Sequence, residues 1–176
     1  MKQISILFIL ICSVNISTTF AQKFAYVDTE YILEQIPEYE EAQNKLNQIA
    51  SDWQDEIEDM HLEVAKMYKE YQAESVLLTE DMKKKKEEEI MAKEKAIKNI
   101  QKIKFGYEGE LFIKRQELVK PIQDKIYDAV QKLAKSKAYD VIFDKSGGLL
   151  MLYFNPKFDK SNEVLTRMGY AAGKKK

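Results

Sequence analysis

The chain has 176 residues, a nearly balanced charge of −1, 45% apolar residues, one cysteine and one histidine. That balance excludes the basic excess carried by most nucleic-acid binders. A single Cys and a single His leave little material for a Cys/His metal site or a Ser-His-Asp triad within one chain.

Residues 1–21 read as a signal peptide. Lys2 supplies the positive start, and Ile4 to Val14 form an apolar run short for a membrane span. Thr19-Phe20-Ala21 places small residues three and one before a cleavage after Ala21. An uncleaved anchor is the alternative, and bulky Ile11 before Cys12 argues against a lipid anchor. Cleavage removes Cys12, so the exported chain forms no disulfide and must hold together by packing or association. No later stretch is apolar enough for a transmembrane helix.

Residues 22–36 begin a small body. Phe24-Ala25-Tyr26-Val27 reads as a strand, and Asp28 or Thr29 caps a brief helix through Tyr31-Ile32-Leu33. Pro37 and Glu38 suit the first turn of the next helix.

Residues 37–120 read as a helical hairpin. Leu46, Ala50, Trp53, Ile57, Met60, Val64, Met67 and Tyr71 keep an alternating spacing of four and three residues. Such spacing holds apolar side chains on one stripe of a long helix. Continued in register, it meets Asp81, Lys85, Glu88 and Lys95. A second stripe in another phase follows: Ile90, Ile97, Ile100, Tyr107, Leu111 and Leu118. The phase break predicts two antiparallel arms, Pro37–Ser75 and Glu80–Lys120, with a tip near 76–81. Thr79 is the expected N-cap of the return arm. Residues 35–75 hold eleven acids against three lysines, and residues 80–120 hold twelve bases against nine acids. Opposite signs on facing arms favour their pairing.

Residues 121–170 complete the body. Ile122, Ile126, Ala129, Val130 and Leu133 continue a helical pattern. Tyr139–Phe143 and Leu149–Phe154 read as two strands of a β-hairpin around Ser146-Gly147-Gly148. Asp159 or Ser161 caps a last helix through Val164, Leu165 and Met168, stopped at Gly169. Residues 171–176 are expected to be disordered. The fold class is thus mostly α with a small β component (α+β), a long helical hairpin projecting from a small β-containing body. A body this small, without disulfides and with open sheet edges, predicts an obligate oligomer.

Single residues offer no catalytic set and no cofactor site. His61 reads as a flank residue of the first arm. Gly147-Gly148 lacks the Lys and Ser/Thr of a phosphate loop. Asp28 with Glu30, and Asp140 with Asp144, read as strand ends and caps before acid pairs. Gly106 and Gly109 each cost about 1 kcal/mol inside a helix. They mark either close packing where the hairpin joins the body or a hinge, with packing favoured. Val76, Leu77 and Leu78 at the tip are apolar residues on a turn, either a contact site or a local cluster. With Met82 and the run Lys83, Lys84, Lys85 and Lys86 they form the candidate binding surface. Met60, Met67, Met82 and Met91 add adaptable surface, although Met60 and Met67 fit the hairpin core better.

Several segments resemble the Skp/OmpH family of periplasmic chaperones. They are the signal segment, Ala25-Tyr26-Val27-Asp28, Ile32–Tyr39, Arg115–Ile122 and Tyr139–Asp144, in order along the whole mature chain. The resemblance implies a homotrimer in which three hairpin tentacles surround a cavity. It implies an ATP-independent holdase that shelters unfolded outer-membrane proteins in the periplasm, not an enzyme; the exposed apolar tip residues separately suggest contact with client chain or, transiently, a membrane surface. The acidic first arm departs from the strongly basic tentacles of the family's best-known members. The competing reading is an exported coiled-coil spacer or envelope tether with one defined partner.

Overall fold

The structure, a computed structural model, describes residues 22–148 and 152–172. The expected signal segment, Leu149–Met151 of the expected second strand, and Gly173–Lys176 of the tail lie outside the described residues. In chain order the elements are β1 (Phe24–Val27), α1 (Thr29–Glu34), α2 (Pro37–Glu74), α3 (Glu80–Phe105), α4 (Glu110–Lys137), β2 (Val141–Asp144), a 3-10 turn (Pro156–Phe158) and α5 (Ser161–Met168). Among the described residues the molecule is mostly α with one small sheet.

Local chemistry sets most element ends. Asp28 caps α1 by accepting the Tyr31 N–H at 3.1 Å. Pro37 opens α2, where its missing N–H leaves no intrahelical bond unmade. Thr79 caps α3 through Met82 N–H at 3.3 Å, and Gly169 ends α5 at φ 91°. The α5 start differs from expectation. Lys160 occupies the cap position without a side-chain bond, while Asp159 Oδ1 accepts the Ser161 N–H and hydroxyl at 2.9 and 2.7 Å.

The β-hairpin expected after α4 is not formed by the described residues. The strand lies at Val141–Asp144, and Leu152–Phe154 are irregular. β2 pairs instead in parallel with β1, from Phe24 opposite Val141 to Val27 opposite Asp144. The far edge of β1 is met by the segment before α5, with a bridge from Tyr26 to Asp159 and a Lys160 N–H to Tyr26 O bond of 2.9 Å. β1 is therefore enclosed on both edges, which explains why Ala25, Tyr26 and Val27 are buried. Pairing across more than a hundred residues leaves no local sequence signal, whereas the Gly-Gly turn suggests a nearby partner.

α2 is the spine, about 57 Å long for 38 residues at 1.5 Å each. Its first half packs Ala42 and Leu46 into a body cluster with Ile32, Ile36, Val119, Ile122, Leu133 and Val164. Its second half packs Ile57 and Val64 against Ile90 and Ile97 of α3. Burying each such side chain contributes about 1.5–3 kcal/mol before entropy is counted.

The return arm departs from expectation in two places. It does not run unbroken to Lys120, because α3 stops at Phe105 and α4 starts at Glu110. Tyr107, expected on the second apolar stripe, sits in this break and is 97% exposed. Pro121, expected as the boundary between arm and body, lies inside α4. A proline there removes one helical hydrogen bond and crowds the preceding turn, at about 3 kcal/mol. Burial of Val119, Ile122 and Ile126 around it, all in the body cluster, offsets that cost.

Candidate binding surface

The tip is a short turn between two helices. Leu77 N–H bonds Glu74 O at 2.8 Å, and the Ser75 hydroxyl donates to Gln72 O at 2.9 Å. This geometry leaves Val76 91% and Leu77 86% exposed, while Leu78 is half-buried. Leu78 is thus less accessible than its two neighbours. Met82, Lys84 and Lys85 are exposed on the first turns of α3. Lys83 pairs with Glu80 at 2.7 Å and Lys86 with Glu74 at 2.6 Å, the latter bridging the two arms. The hydrogen bond to Glu74 holds the Lys86 ammonium above its ordinary range despite some desolvation. The tip thus places apolar side chains outermost, with ammonium groups directly behind them.

Opposite charge joins the arms lower down. Lys93 pairs with Glu63, Tyr71 donates to Glu87, and Tyr68 donates to Glu94 at 3.3 Å. Exposed contacts of this kind select register more than they stabilise.

The break at 106–109 is a close-packed corner. A Cβ at Gly106 would lie 2.3 Å from the Lys102 carbonyl oxygen, and one at Gly109 would lie 2.8 Å from the Ile103 oxygen. Gly109 N–H bonds Gly106 O at 2.9 Å, and Glu108 takes a φ of 53° between them. Both glycines are explained by close backbone approach. The corner is tied across by Lys104, which pairs with Glu110 at 2.6 Å and lies 4.4 Å over the Trp53 ring of α2. Phe105 meets Trp53 edge-on at 6.0 Å. Ile103, Phe105, Tyr107, Phe112 and Ile113 are exposed around the corner. Sequence reasoning missed this surface because it placed the break at Pro121 and Tyr107 in the seam.

The body leaves apolar surface uncovered. Phe24, Tyr127, Val141, Leu152 and Tyr153 are exposed, and no described strand covers the outer edge of β2. Of the acids weighed earlier, Asp28, Asp140 and Asp144 have structural partners. Asp28 caps α1 and pairs with Lys145 at 3.0 Å. Asp144 accepts from Thr29 and Ser146, and Asp140 accepts the Lys23 N–H at 2.7 Å. His61 is exposed on α2. No described helix is long and apolar enough to cross a membrane.

Residues 23–168 match the model of a family described as outer membrane protein (OmpH-like). The chain is 30% identical over 168 residues to an uncharacterized protein of Aquifex aeolicus (strain VF5), covering 96% of both. Its fold is similar to the crystal structure of a candidate outer membrane chaperone (OmpH-like) from Caulobacter crescentus CB15. That match has a TM-score of 0.66 at 13% identity and covers 84% of each chain.

Proposed function

The chain belongs to the OmpH-like outer membrane protein family, and from that premise we propose that it is an ATP-independent holdase of the periplasm. It is exported by a signal peptide cleaved after Ala21. It assembles as a homotrimer through its bodies and shields unfolded outer-membrane β-barrel proteins between its hairpins. No catalysis is involved.

The observation that carries this reading is the pairing of a long projecting hairpin with apolar side chains presented at its tip and corner. Val76 and Leu77 stand outermost, and Phe105, Tyr107 and Phe112 surround the break. An unfolded barrel exposes alternating apolar strands that aggregate in water. Several weak contacts on hairpins of one assembly hold such a chain by multivalency. Lys84 and Lys85 add attraction to acidic segments or to a membrane surface near the tip. The exposed Phe24, Val141 and Tyr153 support assembly through the body.

The test is dilution of a urea-unfolded outer-membrane barrel protein into buffer with the exported chain and no nucleotide, followed by light scattering. Suppressed scattering that saturates near three chains per barrel is expected. Unchanged scattering with the helical fold intact would favour the envelope spacer.

A further inference from the structure

The two arms of the hairpin carry a second charge pattern on their outer faces, turned away from the α2–α3 seam. On α2, Leu62 stands opposite the seam and is 61% exposed. From body to tip its exposed neighbours on that face are Asp55, Glu58 and Asp59, then Lys66 and Lys69. Spacings of three, four and seven residues from Leu62 put them on one stripe. On α3 the outward stripe runs in the opposite chain direction. From body to tip it reads Lys102, Lys98, Lys95, Met91 and Glu88, all exposed and spaced four, three, four and three residues apart. Beside that stripe, Ala92, Ala96 and Asn99 line a shallow groove walled by the lysines.

The two stripes are level with each other. The Glu63–Lys93 and Glu74–Lys86 pairs set the register of the arms, so Leu62 of α2 stands at about the height of Ala96 of α3. Below that height α2 is acidic and α3 basic; above it the signs are mixed, with Lys66 paired to Glu70 on α2 and Glu88 followed by Lys84 on α3. The complementary charges lie in the body half of the two faces. Because the faces lie on opposite sides of one hairpin, they cannot meet within a chain. They can meet between chains, head to tail, as successive members of a ring do.

We propose that the outer face of α2 in one copy docks against the outer groove of α3 in a neighbouring copy, with Leu62 seated beside Ala96 between oppositely charged flanks. This rests on the assembly through the body proposed above. Each exposed pair is weak and screened by salt, so the contact is reversible. It keeps empty hairpins side by side and yields when a client enters between them. Charge complementarity of Asp55, Glu58 and Asp59 with Lys95, Lys98 and Lys102 sets which face meets which.

The experiment uses the full chain with Cys12→Ser, Leu62→Cys and Asn99→Cys, treated with a short bismaleimide. The two thiols of one chain face away from each other across two helices, about 20 Å, so linkage reports contact between copies. Linked dimers and closed trimers are expected at about 0.01 M salt, with a yield about tenfold lower at about 1 M, where the screening length is about 3 Å. Adding Lys95→Glu, Lys98→Glu and Lys102→Glu is expected to lower the yield similarly, and adding Asp55→Lys, Glu58→Lys and Asp59→Lys to that variant restores it. Sedimentation separates the failures. An oligomer that does not link, or that links equally after charge reversal, overturns this contact alone. A monomer overturns the contact and the assembly together.

Discussion

Tyr170 reaches back to donate a hydrogen bond of 2.9 Å to Glu38, tying the end of the body to the first turn of α2. The Glu38 carboxyl is held below its ordinary range, first by backbone hydrogen bonding at its own position, then by the Tyr170 hydroxyl and, less, by Lys125. Desolvation, with the same carboxylate beside it, pushes the Tyr170 hydroxyl up. Because Glu38 is more acidic folded than unfolded, its contribution is complete above the unfolded carboxyl value, about 4.3. It is lost as pH falls through the lower folded value. Tyr170→Phe should raise the Glu38 midpoint and reduce the acid dependence of stability, read by carboxyl NMR titration and melting across that range. An unmoved midpoint would leave the backbone bonds and Lys125 as its causes.

At the scale of elements, the corner between α3 and α4 makes the sharpest demand on residue type. Gly106→Ala must displace backbone, since the new carbon would meet the Lys102 carbonyl at 2.3 Å. A melting temperature several degrees lower is expected, from about 1–3 kcal/mol. Glu108, at φ 53°, already carries the strain of a left-handed non-glycine residue. Glu108→Gly should therefore be neutral or stabilising by up to about 1 kcal/mol, and a clear loss would mean its side chain has a role of its own. Elements governed by local chemistry were legible: the Asp28 and Thr79 caps, Pro37 at a helix start and the α2 stripe all read directly from spacing. Pro121 misled because its local penalty is overridden by apolar neighbours packed on several other elements. The tip was legible as an anomaly, apolar residues where a turn should be polar. The corner surface was not, since Tyr107 keeps helical spacing while standing in a loop. The partner of β2 was equally hidden, because nothing near Val141 points to Phe24.

At the scale of the molecule, two apolar clusters of the described residues lie along α2. The body cluster draws buried residues from α1, α2, α4, α5 and β1, while the hairpin cluster rests on Ile57, Val64, Ile90 and Ile97 with partly buried Met60, Met67, Tyr71 and Ile100. Local opening follows the density of buried apolar contact. Hydrogen exchange should therefore release amides of the outer halves of α2 and α3 well before those around Ile32, Leu133 and Val164. A single exchange phase for both would mean that the hairpin and body open as one unit.

The parallel register of β1 with β2 brings the two ends of the described chain into the same body. β1, α1 and the root of α2 pack there against α4, β2 and α5. The chain is in effect a loop clasped at both ends, and the turn at Ser75–Leu78 is the stretch farthest from the clasp. A single cut there would divide the polypeptide into two pieces, each carrying half of every interface that holds the other. The pieces should stay together, and should find each other again after separate synthesis, so the fold does not depend on the continuity of its own backbone at the tip.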